Sequence, residues 1–229
     1  MNRFTNRRPS GESTMRKVAD STVERLSLYL RLLRELKAGG VATVSSGELA
    51  RRGGTTAAQV RKDLSFFGTF GKRGLGYSVP ELESRIRSIL GLERVWRVAV
   101  IGAGRIGSAL LGYEDFRRQG FLIEAVFDSD PAKVGRSWEG QRVSSIDELE
   151  QVVRERRIEI AILAVPAHAA QTVLERVARA GVRGVLNFAP TKLVVPSGVA
   201  LKNVNMAVEL EGLSYALTRD DRAGGNGGG

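Results

Sequence analysis

The sequence predicts a two-part α/β chain, with an N-terminal winged helix-turn-helix domain followed by a C-terminal Rossmann domain built on a doubly wound parallel sheet. Three observations carry this. The net charge of +10 over 229 residues lies entirely before residue 98, with 19 basic and 9 acidic side chains up to Arg97 and 16 of each beyond it. A short apolar strand runs straight into Gly102-Ala-Gly104-Arg-Ile-Gly107 and then a helix, and the next strand ends in Asp128. From there, apolar strands and amphipathic helices alternate, the order expected of a parallel sheet.

Composition bounds the class. A hydrophobic fraction of 42% with 26% charged residues can bury a core. No apolar run approaches the roughly 18–20 residues that cross a membrane. The segment MNRFTNRRPSGESTMRK has no apolar centre, unlike a secretory signal, so a cytoplasmic protein is expected. There is no cysteine, which excludes disulfides, zinc-thiolate fingers, iron–sulfur clusters and thiol switches.

Residues 1–19 read as a disordered basic arm and 219–229 as a flexible tail. The DNA-binding domain is expected over 20–94, beginning with a capping box of Ser21 and Glu24. Val23, Leu26, Leu30, Leu33 and Leu36 recur at helical spacing, and Gly39-Gly40 ends the run. Ser45 or Ser46 can cap GELARR, and Gly53-Gly54 makes a turn. Thr56 with Gln59 makes a second capping box opening TAAQVRKDLSFFG. In that helix Ala57, Val60, Leu64 and Phe67 face a core, which turns Lys62, flanked by Gln59 and Ser65, outward. Gln59 and Lys62 could reach base edges in a major groove, and Arg61 a phosphate. In GTFGKRGLGYSVP, four glycines bracket Lys72 and Arg73 at the tip of a hairpin, a wing suited to a minor groove or phosphate. A helix at Glu81–Leu90 follows Pro80. Double-stranded operator DNA is the partner these features imply.

The dinucleotide domain is expected over 95–205. Gly102 permits the tight turn, Gly104 the approach of backbone to a pyrophosphate, and Gly107 close packing of helix on strand. With Ala103, Arg105 and Ile106 they form the phosphate loop, whose helix N-terminus supplies N–H donors. Asp128 can accept from both adenosine ribose hydroxyls and would repel the 2′-phosphate of NADP. The cations Lys133 and Arg136 just downstream bear on how fully NADP is excluded. Helices at Ile146–Arg156 and Ala169–Ala180 alternate with strands at Ile158–Val165, Val182–Phe188 and Val199–Val204. Loops after strand ends line the crevice of such a sheet, which nominates Val165, Asn187 and Phe188. A last helix at 206–218 carries Met206, Leu210, Leu213 and Leu217 on one stripe, free to pack on its own domain or on a second subunit.

Catalysis is disfavoured. About 25 residues follow the last strand, too few for a substrate domain. His168, the single histidine, sits at a helix start, where a general-base role is possible but a structural one commoner. There is no Ser/His/Asp set, no metal-ligand cluster and no Walker lysine, so neither metal nor catalytic residues are expected. Two alternatives remain: a small NAD-dependent reductase, or a CoA- or other nucleotide-binding module, each with a basic accessory domain.

LYLRLL, VRKDLSFFGTFGKRGLGY, VIGAGRIGSAL, FDSDPAKVG, AVPAHAAQ and VLNFAP, over residues 18–217, resemble the Rex redox-sensing transcriptional repressors of bacteria. The resemblance implies a homodimer with the last helix exchanged between subunits, so that 206–218 would dock on the partner. It implies NAD as cofactor, with DNA bound in the apo or NAD+ state and released by NADH. It also implies that Arg31 lies at the domain interface and that Tyr113 lies beside the nicotinamide. Members often carry an aspartate before the last helix, pairing with that arginine and tyrosine. Asn205 stands there in this chain, which removes a charge-assisted hydrogen bond. Because NAD+ has a cationic ring and NADH a neutral one, an apolar interface pocket would favour NADH.

Overall fold

The computed structural model describes residues 18–71 and 75–224, with side chains to residue 219. The basic arm before residue 18, the wing tip with Lys72 and Arg73, and the last five residues lie outside the described residues. The chain divides into two units, one ending at Glu93 and the other beginning at Arg94.

In the first unit, α1 (Asp20–Ala38) buries Leu26, Tyr29, Leu30, Leu33 and Leu36, while Val23 remains exposed. Its start differs from the expected capping box. Asp20 already opens the helix after Ala19, which makes no side-chain cap, so Ser21 falls inside the first turn. Strand β1 (Thr43–Val44) leads to α2 (Ser46–Arg52), where the Ser45 hydroxyl accepts from the Glu48 N–H at 3.0 Å. The turn at Gly53-Gly54 delivers α3 (Ala57–Ser65), where Thr56 Oγ1 accepts from the Gln59 N–H at 3.1 Å. α3 buries Val60, Asp63 and Leu64 and ends at Phe66, which is exposed, so it stops short of the expected FFG.

Beyond it the chain reverses: a Cβ on Gly71, at φ +72°, would collide with the Gly76 carbonyl. The returning strand β2 (Tyr77–Ser78) pairs antiparallel with β1, and Ser78 with Pro80 opens α4 (Val79–Ile89). α4 packs on α1 through Leu82 and Ile86. Glu83 of α4, nearly buried, accepts from Lys37 Nζ at 2.6 Å with Arg34 at 4.0 Å.

The second unit is a seven-stranded sheet. Its first members are β3 (Trp96–Ile101), β4 (Phe121–Asp128), β5 (Ser137–Trp138) and β6 (Gln141–Ser145). They are followed by β7 (Ile160–Leu163), β8 (Gly184–Asn187) and β9 (Ala200–Asn203), in the order β5-β6-β4-β3-β7-β8-β9. All neighbours are parallel except β5 and β6, a ribbon closed by Glu139 and Gly140 at φ +46° and +77°, as a two-residue hairpin turn requires. The ribbon was not expected from the sequence. The helix expected after the glycine loop is also two, α5 (Arg105–Leu111) and α6 (Glu114–Arg118), broken at Gly112-Tyr113.

One face of the sheet, through Ala99, Ile101, Phe127, Leu163 and Val185, packs under α7 (Leu149–Glu155) and α8 (Ala167–Arg179). The other, through Val98, Val100 and Ile162, packs against Leu110, Leu111 and Phe116. Arg176 holds α8 to α7, donating at 2.8 Å to each Glu150 oxygen and at 2.9 Å to the Ile146 carbonyl. The last helix, α9 (Met206–Gly224), exposes Leu210, Leu213, Tyr215 and Leu217 by 60% or more of their surface.

Candidate functional site

The chain leaves β3 for β4 and β6 on one side and continues to β7, β8 and β9 on the other, so a topological switch lies between β3 and β7. A cleft of about 740 Å³ opens there, at the carboxyl ends of the strands. Gly102, Gly104, Arg105, Ile106, Asp128, Lys133, Val165 and His168 are among its lining residues.

The glycines have separable reasons. Gly102 sits at φ +100°, and a side chain there would strike Ala164 at the end of β7. A Cβ on Gly107 would run into the Gly102 carbonyl and would reach Val100 Cγ1 at 3.3 Å. Around Gly104 nothing lies within 4 Å, so the backbone is open where a pyrophosphate would come closest. The first-turn N–H groups of α5 have no partner within the helix. Volume, open backbone and donors together fit a dinucleotide.

Asp128 is 8% exposed and closes β4. Its Oδ2 accepts from the Ala103 N–H at 2.8 Å and from Lys133 Nζ at 3.0 Å, and its Oδ1 from the Asp130 N–H at 2.9 Å. Burial pushes its pKa up, but the Asp130 N–H, Lys133 and the Ala103 N–H outweigh burial, and the net shift is downward. It is an anion at neutral pH. Ala103, fully buried, therefore serves the loop by tying it to Asp128, and its N–H is engaged before any phosphate arrives.

Three nominated residues do not join this cleft. Asn187 is 1% exposed, and its side chain is used internally: Nδ2 donates to the Ala189 carbonyl at 3.1 Å and to Asn203 Oδ1 at 2.9 Å, while Oδ1 accepts from the Ala189 N–H at 3.0 Å. It staples the turn after β8. Phe188 is half-buried and packs against the Val98, Val100 and Ile162 cluster. Tyr113 also lies away from the glycine loop. It is exposed, stacks edge-on to Phe116 at 5.0 Å, and lines a separate apolar cleft of about 380 Å³ with Val98, Ile162 and Leu186. Asn205 caps α9, its Oδ1 accepting from the Ala207 N–H at 3.1 Å and more distantly from Val208.

In the first unit, Lys62, Arg61 and Ser65 are exposed on α3. Arg61 donates to Ser46 Oγ at 3.0 Å, linking α3 to α2, and Ser65 donates to the Lys62 carbonyl at 2.7 Å. Gln59 is half-buried, and its side chain does not return to Thr56 to complete the capping box. It donates instead to Asp63 Oδ1 at 2.8 Å. Asp63 is fully buried, and Arg25 grips it with Nε and Nη2, each at 2.7 Å, while Tyr29 donates at 3.0 Å. Burial raises the Asp63 pKa, but the bonds from Arg25, Gln59 and Tyr29 and the Arg25 charge overcome it and leave it lowered. Arg31 is exposed on α1. Sequence reasoning overlooked Asp63, although a charge three residues from Val60, on the buried stripe, was a visible anomaly.

A capped helix pair with an exposed basic third-helix face, and a Rossmann sheet with a dinucleotide-type cleft, define a DNA-binding regulator with a nucleotide-sensing domain. Residues 17–65 match the family described as "Putative DNA-binding protein N-terminus", and residues 93–191 the one described as "CoA binding domain". A protein of Carboxydothermus hydrogenoformans named "Redox-sensing transcriptional repressor Rex" is 50% identical over 204 residues, 89% of this chain and 98% of that one. One of the same name from Thermus thermophilus is 47% identical over 201 residues, 88% and 94% of the respective chains. The solved structure of RSP, a Rex-family repressor, has a TM-score of 0.84 at 35% identity, covering 92% of this chain and 99% of that one. RSP in complex with β-NAD+ and operator DNA has a TM-score of 0.85 at 36% identity, with the same coverage. The chain belongs to the Rex family of redox-sensing transcriptional repressors. These relatives are named as repressors and not as enzymes.

Proposed function

We propose that this chain represses transcription by binding operator DNA, senses the NADH/NAD+ ratio, and leaves DNA when NADH binds. The observation that carries the reading is the cleft between β3 and β7, with an open Gly104 and an anionic Asp128, in one chain with the α2–α3 pair. Residues 20–94 serve DNA: Lys62 and Ser65 face the bases, Gln59 borders them while its amide is tied to Asp63, and Arg61 with the wing residues Lys72 and Arg73 serves phosphate or minor groove. Residues 95–205 serve the dinucleotide. The solved RSP complexes, one with β-NADH and one with β-NAD+ and operator DNA, support both halves.

The redox signal is a charge difference, since oxidised nicotinamide is cationic and reduced nicotinamide is neutral. An apolar pocket discriminates against the cation because desolvating it costs free energy. The resemblance sets Tyr113 at that end of the cofactor, although its cleft with Val98, Ile162 and Leu186 is separate from the one at the glycine loop. Near-complete switching requires a differential affinity on the order of 10⁴ between a DNA-binding and a DNA-releasing conformation.

The working unit is a homodimer in which α9 docks on the partner subunit. Its support is the row Leu210, Leu213, Tyr215 and Leu217, which nothing in its own chain covers among the described residues. Among the described residues no helix is long and apolar enough to cross a membrane. DNA and NAD(H) as ligands suit the cytoplasm. The test is operator binding to a palindromic site, followed by fluorescence anisotropy at fixed salt across an NADH and an NAD+ series. NADH releasing the DNA while NAD+ leaves it bound supports the reading, and equal effects of the two refute it.

A further inference from the structure

Lys133 is a charged residue of the cleft whose bearing on NADP the sequence leaves open. Its ammonium lies 3.0 Å from Asp128 Oδ2 and 3.9 Å from Asp130 Oδ2, and its side chain is 32% exposed. It lines the cleft, whereas Arg136, the other cation just downstream, is exposed and does not.

The geometry limits what Asp128 can do. A carboxylate has about four acceptor positions, and protein donors fill three here: Ala103 N–H and Lys133 on Oδ2, and Asp130 N–H on Oδ1. One position on Oδ1 remains for a ribose hydroxyl, so a second hydroxyl can be accepted there only as Lys133 lets go. Lys133 also cancels much of the field that would turn away a 2′-phosphate. An ammonium has three donors, and among the described residues one of them is engaged within hydrogen-bond distance.

We propose that Lys133 sets the strictness of the adenosine-ribose subsite, admitting a 2′-phosphorylated dinucleotide as a weaker second ligand that Asp128 alone would exclude. This rests on the dinucleotide reading above. In that role Lys133 turns from the carboxylate to the phosphate when NADPH enters, and remains near Asp128 when NADH does. Arg105 also lines the cleft, from the glycine loop, but makes no ion pair with Asp128 among the described residues.

The experiment is direct titration of the full-length protein with NADH and with NADPH, read by nicotinamide fluorescence, for the parent, Lys133→Met, Lys133→Arg and Arg105→Met. The parent is expected to bind both, NADPH more weakly. Lys133→Met should raise the ratio of the NADPH to the NADH dissociation constant about tenfold or more, because one charge-assisted bond is lost to one ligand only. Lys133→Arg should hold the parental ratio. A general loss of packing would weaken both ligands together, so the ratio separates specificity from structure. The inference is overturned if the parent binds NADH but no NADPH, if Lys133→Met leaves the ratio unchanged, or if Arg105→Met alone raises it. A parent that binds neither nucleotide would instead bring down the dinucleotide reading itself.

Discussion

The replacement of Asp63 by asparagine tests what holds the exposed face of α3 in place. All four acceptor positions of Asp63 are filled, by Arg25 Nε and Tyr29 Oη on Oδ2 and by Arg25 Nη2 and Gln59 Nε2 on Oδ1. An asparagine has one carbonyl oxygen, and its NH₂ must take the other place. Set toward the Oδ1 side, it opposes two donors. Set toward the Oδ2 side, it can donate to the Tyr29 oxygen but still faces Arg25 Nε. Either way a guanidinium N–H loses its partner and Arg25 loses its counter-charge. Breaking one member of a buried pair costs about 3–5 kcal/mol. Arg25 is 27% exposed and partly solvated, which places the loss near 3 kcal/mol on that scale. For a unit of this size that amounts to a fall in melting temperature of more than about 10 °C.

Calorimetry of the full chain, with NADH binding as a check on the second unit, is the assay, and operator affinity should fall as Gln59 loses its anchor. The acid side gives a second reading. The folded Asp63 pKa lies below its unfolded value, so its contribution is complete at neutral pH, begins to fall as pH drops through the ordinary carboxylate range, and is gone once pH has passed below the lowered folded value. Tyr29, pushed up to about 12 by burial and then by Asp63, contributes in full below about pH 10 and loses that contribution as pH rises towards 12. A Asp63→Asn protein melting within about 2 °C of the parent, with unaltered operator binding, would refute the four-donor account.

Three further outcomes are expected. Lys62→Ala should lower discrimination between operator and unrelated DNA, with roughly 1–3 kcal/mol of base readout lost, while Arg61→Ala should weaken all DNA alike and flatten the salt dependence by about one unit of slope; competition binding across a salt series separates them. Gly107→Ala should abolish NADH binding and destabilise the second unit, because its methyl group meets the Gly102 carbonyl backbone, and titration with thermal melting checks both. Glu150, drawn down to about 2 first by its bonds to Arg176 and against the effect of burial, adds stability that is complete above about pH 4.5 and lost between there and pH 2; Glu150→Gln should therefore narrow the stability gap between parent and variant as pH falls through that window.

The parts of the fold legible in the sequence are those fixed by local chemistry. Ser45 and Thr56 announce α2 and α3 because a cap is a contact over three residues. The glycine loop and Asp128 are legible because each glycine answers a backbone demand that no other residue meets. What stayed hidden depends on distance or on weak patterns. The β5–β6 ribbon is short and polar and pairs through its backbone, so no alternation of side chains marks it. Arg25 and Asp63 are 38 residues apart, and only the fold brings them together. Asn187 ends a strand at the crevice edge, as expected of a ligand-facing residue, yet its amide turns inward to the loop it supports.

Asn205 is instructive in the opposite direction. The resemblance marks it as a departure, an amide where relatives often carry an acid. In this chain it opens α9, and asparagine and aspartate are about equally good at a helix start. The change keeps the helix and removes a charge. Selection of a residue for a cap and for an ion pair can thus be separated by one atom.

The two buried aspartates bring the same distinction to the level of sites. Asp63 and Asp128 are each nearly inaccessible, each lowered in pKa against the effect of burial, and each gripped by a cation and by neutral donors. They differ in occupancy. Asp63 has four donors within its own unit, so no ligand can be accepted without expelling one, and its role is to hold α3 to α1. Asp128 has three, one of them a lysine able to turn away, and it faces a cleft of about 740 Å³. A buried anion whose acceptors are complete is architecture, while one left short, beside an open glycine loop, has room for a ligand. Burial and pKa direction alone do not tell these two apart, because both carboxylates are lowered against burial. Counting donors against acceptors does, and under the proposed function it gives DNA presentation to the first unit's aspartate and ligand selection to the second's.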